Sequence, residues 1–146
     1  MLNQDEVARL NRLIVDCHDD CRTFDDAAAA HPDYSRELST LVGRRDDYVQ
    51  DLAGVLHEEG ASAARRGSAL AWWHRLTSSL RVALAGTTNA GDSLRGCVRQ
   101  ERRTVEHYER AVRMGSSSPE LDQLLRDQLT QLEVDLARVR YLQGWS

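Results

Sequence analysis

The amino-acid sequence predicts an all-α chain folded as one four-helix bundle over residues 1–146. Three observations point there. Apolar residues recur in alternating steps of three and four along four long stretches, the spacing that puts them on one face of a helix. Proline, which breaks helices, occurs only twice, and both prolines stand where a helix can begin. Cap-forming residues bracket the stretches. A single chain of 146 residues can also bury a core of its own without disulfide or metal staples.

The first helix is predicted over residues about 3–30. Asn3 caps it, and Glu6 completes a capping box three residues later. Val7, Leu10, Ile14, Cys17, Cys21, Phe24 and Ala28 form its seam. His31-Pro32 stops it, and Pro32 opens the first turn of a second helix, about 32–59. That helix presents Leu38, Val42, Arg45, Val49, Leu52 and Leu56, and Gly60 closes it. The third, about 89–114, presents Leu94, Cys97, Glu101, Thr104 or Val105, Tyr108 and Val112, and stops at Gly115. Ser118-Pro119-Glu120 opens the fourth, about 119–143, with a cap, a proline at the first position and an acid at the positive dipole end. Its seam runs through Leu121, Leu125, Gln128 or Leu129, Leu132, Asp135 or Leu136, Val139 and Leu142.

The connections set the topology. First to second and third to fourth are short, so each pair makes an antiparallel hairpin. Segment 60–88 is long, and within it residues 69–85 place Trp73, Leu76, Leu80 and Leu84 at helical spacing. A helix of that length spans roughly 25 Å, enough to return along the bundle and set the second and third helices parallel. Two antiparallel hairpins joined by a long crossover with an additional amphipathic helix make the ferritin-like topology. A faint internal repeat agrees. Cys17-x-x-x-Cys21-Arg22 matches Cys97-x-x-x-Glu101-Arg102, which sets Cys21 and Glu101 in equivalent places.

Charge and composition exclude several classes. The net charge of −4 leaves no general basic footprint, so nucleic acid is not an expected partner. All nineteen basic residues are arginine, which removes a Schiff-base lysine and the phosphate-binding lysine of a P-loop. The same bias suggests a GC-rich bacterial genome. The opening Met1-Leu2-Asn3-Gln4-Asp5-Glu6 has neither part of a secretory signal. No apolar run approaches the roughly 20 residues that span a bilayer, so membrane attachment is not expected. Three cysteines do not make a disulfide framework, and reduced thiols in the cytoplasm are the expectation.

A carboxylate-bridged di-iron site in such a bundle takes Glu from two helices and Glu-x-x-His from the other two. Three residues before His18, His31, His57, His74 and His107 stand Val15, Ala28, Gly54, Ala71 and Thr104, so the motif is absent. Glu101 is the acid on a seam and Arg45 the base on a seam. A lone buried carboxylate is costly, so the two are expected to pair and hold the second and third helices in register. Asp135 either joins them or is exposed beside Leu136. The rival reading makes Glu101 a residual metal ligand with the thiols of Cys17, Cys21 and Cys97, a set that suits a soft metal, with His18 or His107 nearby. Buried cysteines, however, are more often inert small apolar residues. Glu106 and His107 are expected on a solvated face. Trp72, Trp73, His74 and Arg75 form the most distinctive stretch. Either Trp73 covers the bundle together with Leu76 and Leu80 while Trp72 is partly exposed, or the stretch makes an interaction surface because Trp and Arg suit interfaces, or it lies on a membrane surface.

At these residues the chain resembles an uncharacterised bacterial ferritin-like family of four-helix-bundle proteins, a domain of unknown function. Leu10-Asn11-Arg12-Leu13-Ile14 looks like that family's opening helix. In its Asp-Gly-x-x-Gly-Phe pattern Asp19 and Phe24 match, Asp20 and Thr23 replace the glycines, and Cys21 sits where Glu is common. Arg45 with Tyr48 looks like the family's Arg-x-x-aromatic, and His74-Arg75 with Leu80 to Gly86 looks like its crossover. Of the family's Cys-Glu-x-Gly-Glu, Cys97 and Glu101 match while Val98 and Gln100 do not, and Leu136 stands where the family often has His. The departures at Cys21, Val98 and Leu136 each remove a possible ligand.

The resemblance implies a non-catalytic cytoplasmic bundle with a stress-associated or scaffolding role, a homodimer or larger homo-oligomer without a cofactor. The alternatives are a metal-binding or oxidation-linked protein with a degenerate site at Glu101 and the core cysteines, and a module that binds a protein partner through Trp72 and Trp73.

Overall fold

The computed structural model of the chain describes residues 2–59 and 90–144. They form four α-helices: α1 (Gln4–Ala30), α2 (Ser35–Glu58), α3 (Ala90–Met114) and α4 (Pro119–Gly144). The Gly60 cap, the crossover helix expected over 69–85 and the Trp72-Trp73-His74-Arg75 stretch lie outside the described residues.

Local chemistry explains each helix end. The Asn3 side chain accepts from the Glu6 amide at 2.9 Å, and Glu6 accepts from the Asn3 amide at 2.9 Å, so the capping box is formed. α1 ends at His31, where a proline follows and disfavours helical backbone; His31 sits at φ −127° and ψ 79°. Pro32 does not begin α2 directly. It opens a single 3-10 turn, Pro32–Tyr34, and the α-helix starts at Ser35. α3 stops at Gly115, whose φ of 74° is the left-handed conformation that glycine adopts without steric cost. The Ser118 hydroxyl accepts from the Leu121 amide at 3.3 Å and caps α4.

α1 packs against both α2 and α3, α3 packs against α4, and α2 meets α4 more lightly. Directions follow from the cross-helix bonds. Along α1, Glu6, Asp16 and Thr23 meet Ser117, His107 and Cys97 in turn, so α1 and α3 run antiparallel. Glu37 and Arg44 of α2 meet Arg138 and Asp135 of α4, again antiparallel. The core between them is mostly leucine, with Leu10, Leu13, Leu38, Leu52, Leu94 and Leu132 fully buried. Burying each such side chain is worth about 1.5–3 kcal/mol.

Two neighbours give α1 a wider buried face than one seam, and the seam runs differently from the apolar pattern. Its most buried stripe is Leu10, Leu13, Cys17, Asp20, Phe24 and Ala27, with Asp16 and Cys21 buried beside it. Ala28 is only partly buried. In the same way Leu41 replaces Val42 in α2 and Ala111 replaces Val112 in α3 as the deeper residue.

Glu6 does more than cap α1. Its Oε1 also accepts from the Ser117 amide at 2.7 Å and from the Ser116 hydroxyl at 3.1 Å, clasping the turn between α3 and α4. These bonds, the Ser117 and Asn3 amides foremost, hold its pKa down at about 2. A depressed acid stabilises the fold above its unfolded pKa, near 4.5, and that contribution disappears as pH falls toward 2. Glu6→Gln is therefore expected to lower the urea midpoint at pH 7, with the gap to the natural protein closing between pH 5 and 2. A gap that stays constant over that range refutes the clasp.

Candidate functional site

Helical spacing drives Arg45 inward. It lies on the same face of α2 as Leu38, Leu41, Leu52 and Leu56, and it has no solvent exposure at all. A buried guanidinium is tolerable only with charge and hydrogen-bond partners. Each of the other three helices supplies one. Arg45 Nε donates to Asp20 Oδ2 of α1 at 3.0 Å, Nη1 to Asp135 Oδ2 of α4 at 3.0 Å, and Nη2 to Glu101 Oε1 of α3. The rings of Phe24 and Tyr48 lie against the guanidinium carbon, with centroids 5.7 and 5.4 Å away, a cation–π arrangement.

Further donors support two of the three acids. Asp20 Oδ1 accepts from Thr104 Oγ1 at 2.7 Å and from Gln100 Nε2 at 3.1 Å. Asp135 Oδ1 accepts from Gln131 Nε2 at 3.0 Å and from Arg44, which reaches the cluster from the half-exposed edge of α2. Glu101 Oε2 is buried without a hydrogen-bond partner among the described residues. Burial pulls the pKa of Arg45 down, but Asp20 and Asp135 pull it up further, and the net direction is upward. The guanidinium is a permanent cation.

The three cysteines are buried but not gathered together. The Tyr108 hydroxyl donates to Gln128 Oε1 at 2.6 Å, so the Cys17 thiol, 3.6 Å away, is left to donate to the phenol oxygen. Cys21 points to the Val42 carbonyl at 3.6 Å and to Asp46 at 3.7 Å, and Cys97 to the Thr23 carbonyl at 3.3 Å. Burial pushes the thiols of Cys17 and Cys97 up to about 12 and that of Cys21 higher still.

Arg45 and Glu101 are thus brought together, within a larger cluster than a pair. Asp135 joins them and is not exposed, and Leu136 is buried beside it. Glu101 is not alone as a seam acid. Asp20 is as deeply buried, and it, not Cys21, is the α1 residue that faces Arg45. Glu101, Cys17, Cys21 and Cys97 do not converge, and no group of three or more His, Cys, Asp or Glu among the described residues could hold a metal ion. His107 is not on a solvated face. Its Nδ1 lies 2.6 Å from the buried Asp16 carboxylate, with Arg12 3.9 Å from the other oxygen.

A carboxylate-bridged metal pair, which a ferritin-like resemblance brings to mind, does not fit these residues. Five of the six carboxylate oxygens around Arg45 accept hydrogen bonds from side chains. Among the described residues, His107 engages Asp16 and His31 stacks on Tyr34. Comparison with protein-family models, curated proteins and solved structures gives no match to this chain.

Two outcomes follow from the site. Arg45→Met leaves buried acids without their cation and is expected to cost about 3–5 kcal/mol in denaturant unfolding. Adding Asp20→Asn, Glu101→Gln and Asp135→Asn should recover much of that loss; a loss that persists in full argues that packing, not charge, dominates. At pH 7 a thiol with a pKa near 12 is ionised in roughly one molecule in 10⁵. All three cysteines should therefore resist a thiol-specific disulfide reagent in the folded protein and react together on unfolding, and prompt labelling of the native chain would contradict this.

Proposed function

We propose that this chain is a non-catalytic ferritin-like bundle with a scaffolding role, exercised through self-association, in which an arginine stands where relatives of that topology would hold metal. The observation that carries this reading is Arg45 itself: fully buried, and bonded to one carboxylate from each of the other three helices. Acids that neutralise an internal guanidinium are not available as general bases or as bridging ligands.

The ferritin-like part draws support from chain direction. α1 and α2 form a hairpin through a short turn, and α3 also runs against α1, so α2 ends and α3 begins at opposite ends of the bundle. Self-association draws support from the outer face of α4, where Val134 and Tyr141 stand two turns apart and are both more than half exposed. The oxidation-linked alternative loses ground because a buried, protonated thiol is a poor nucleophile.

Metal analysis of the chain purified without chelator tests the reading. The expected result is iron, manganese and zinc each far below one ion per chain. A stoichiometric metal that is lost in Glu101→Ala would overturn it.

A further inference from the structure

We propose that the Arg45 cluster keeps one proton at neutral pH, and that Glu101 carries it on Oε2 as a buried, neutral carboxylic acid. The inference rests on charge and donor counts at this cluster and is independent of the ferritin-like reading.

Three carboxyls surround one fully buried guanidinium. Arg44 adds a second positive charge, but from a side chain that is 40% exposed and therefore screened by solvent. Fully ionised, the cluster would hold at least one negative charge in excess, in a place with no water contact. A buried uncompensated charge is relieved by taking up a proton. Among the described residues, the other titratable groups with contacts or couplings to the cluster are acids, thiols and phenols. α1 contributes Cys17 and Cys21, whose thiols stay protonated, and Asp16. α2 contributes Tyr48 and Asp46, and α3 contributes Tyr108; both tyrosines are pushed up by burial and remain neutral. α4 contributes Asp135.

Hydrogen bonding selects the carrier. Among the described residues, Asp20 accepts three side-chain hydrogen bonds and so does Asp135, whereas Glu101 accepts one. Donors stabilise the charged form, so the acid with fewest is the one that stays neutral. The bare oxygen is also the place for the proton: Oε2 of Glu101 has no donor pointed at it among the described residues. Burial pushes even the well-supplied Asp20 up to about 6, against Arg45 and the bonds from Thr104 and Gln100. The cluster as a whole resists complete ionisation.

The sign of the consequence is fixed. At pH 7 the unfolded chain has released this proton and the folded chain has not, so stability falls as pH rises. The slope reaches a tenfold change in the folding equilibrium constant per pH unit for one proton. Infrared spectroscopy of the full chain at pH 7 should show the carbonyl band of an un-ionised carboxyl, absent in Glu101→Gln. Glu101→Gln should fold normally, and its stability relative to the natural protein should rise across about pH 5 to 8. No such band in the natural protein, a band that survives in Glu101→Gln, or a Glu101→Gln chain that does not fold overturns the proposal. So does a band removed by Asp20→Asn alone. If Asp20→Asn does not fold, Glu101→Gln decides the matter by itself.

Discussion

One guanidinium fixes the relative positions of four helices. Arg45 has three nitrogens, and each is bonded to a different helix: Nε to α1, Nη1 to α4 and Nη2 to α3. The fork is planar and rigid, so the three bond directions are set by the side chain itself. Sliding any one helix by a turn moves its carboxylate about 5.4 Å along the axis and breaks the contact. Apolar packing is far more tolerant, since leucine seams repeat every turn or two. A well-packed apolar substitute for a buried ion network is often at least as stable. What the cluster contributes is register, and the rings of Phe24 and Tyr48 complete the enclosure that a purely polar centre would leave loose.

The same cluster compensates for an uneven bundle. α1 lies between two partners and is held along its whole length, from the Glu6 clasp at one end to the Cys97–Thr23 contact near the other. α2 and α4 touch lightly. Between them the strong links are polar: Arg44 and Arg45 on Asp135, and the more exposed Arg138 on Glu37. The exposed pair adds little in water. Asp135 is therefore the main tether that closes the fourth side, and it needs both arginines because a carboxylate at that depth is otherwise costly.

Much of this was legible in the sequence. The starts of α1 and α4 could be read because capping is local chemistry: Asn3 with Glu6, and Ser118 with Pro119, act within four residues. Arg45 and Glu101 could be paired because each interrupts an otherwise apolar stripe. Asp20 was hidden by the pattern that revealed the helix. Val7, Ile14 and Cys21 satisfy the three–four spacing with apolar residues, but the deeper stripe passes through Leu13 and Asp20 instead. A helix with two neighbours buries both stripes, and apolarity alone selects the wrong one when the core contains a charge. His107 was misplaced for a related reason. Its partner Asp16 sits one residue before a seam cysteine, and nothing local announces that a polar residue there turns inward.

An internal arginine and a bound metal ion differ in how they complete a buried cluster of acids. A carboxylate must approach zinc to about 2.0–2.2 Å, and a metal must be acquired from solution before such a site is complete. Here Asp20 and Asp135 stand at 3.0 Å from guanidinium nitrogens, and the cation is covalently part of α2. The cation of this cluster is in place as soon as α2 has folded against its neighbours. The cost is stoichiometric. A divalent ion can balance two carboxylates, but one guanidinium balances one. Three acids around Arg45, with only the rim charge of Arg44 to help, leave the centre short of positive charge. A cluster short of positive charge is closed by the exchangeable proton that solvent supplies, so its cohesion is tied to pH.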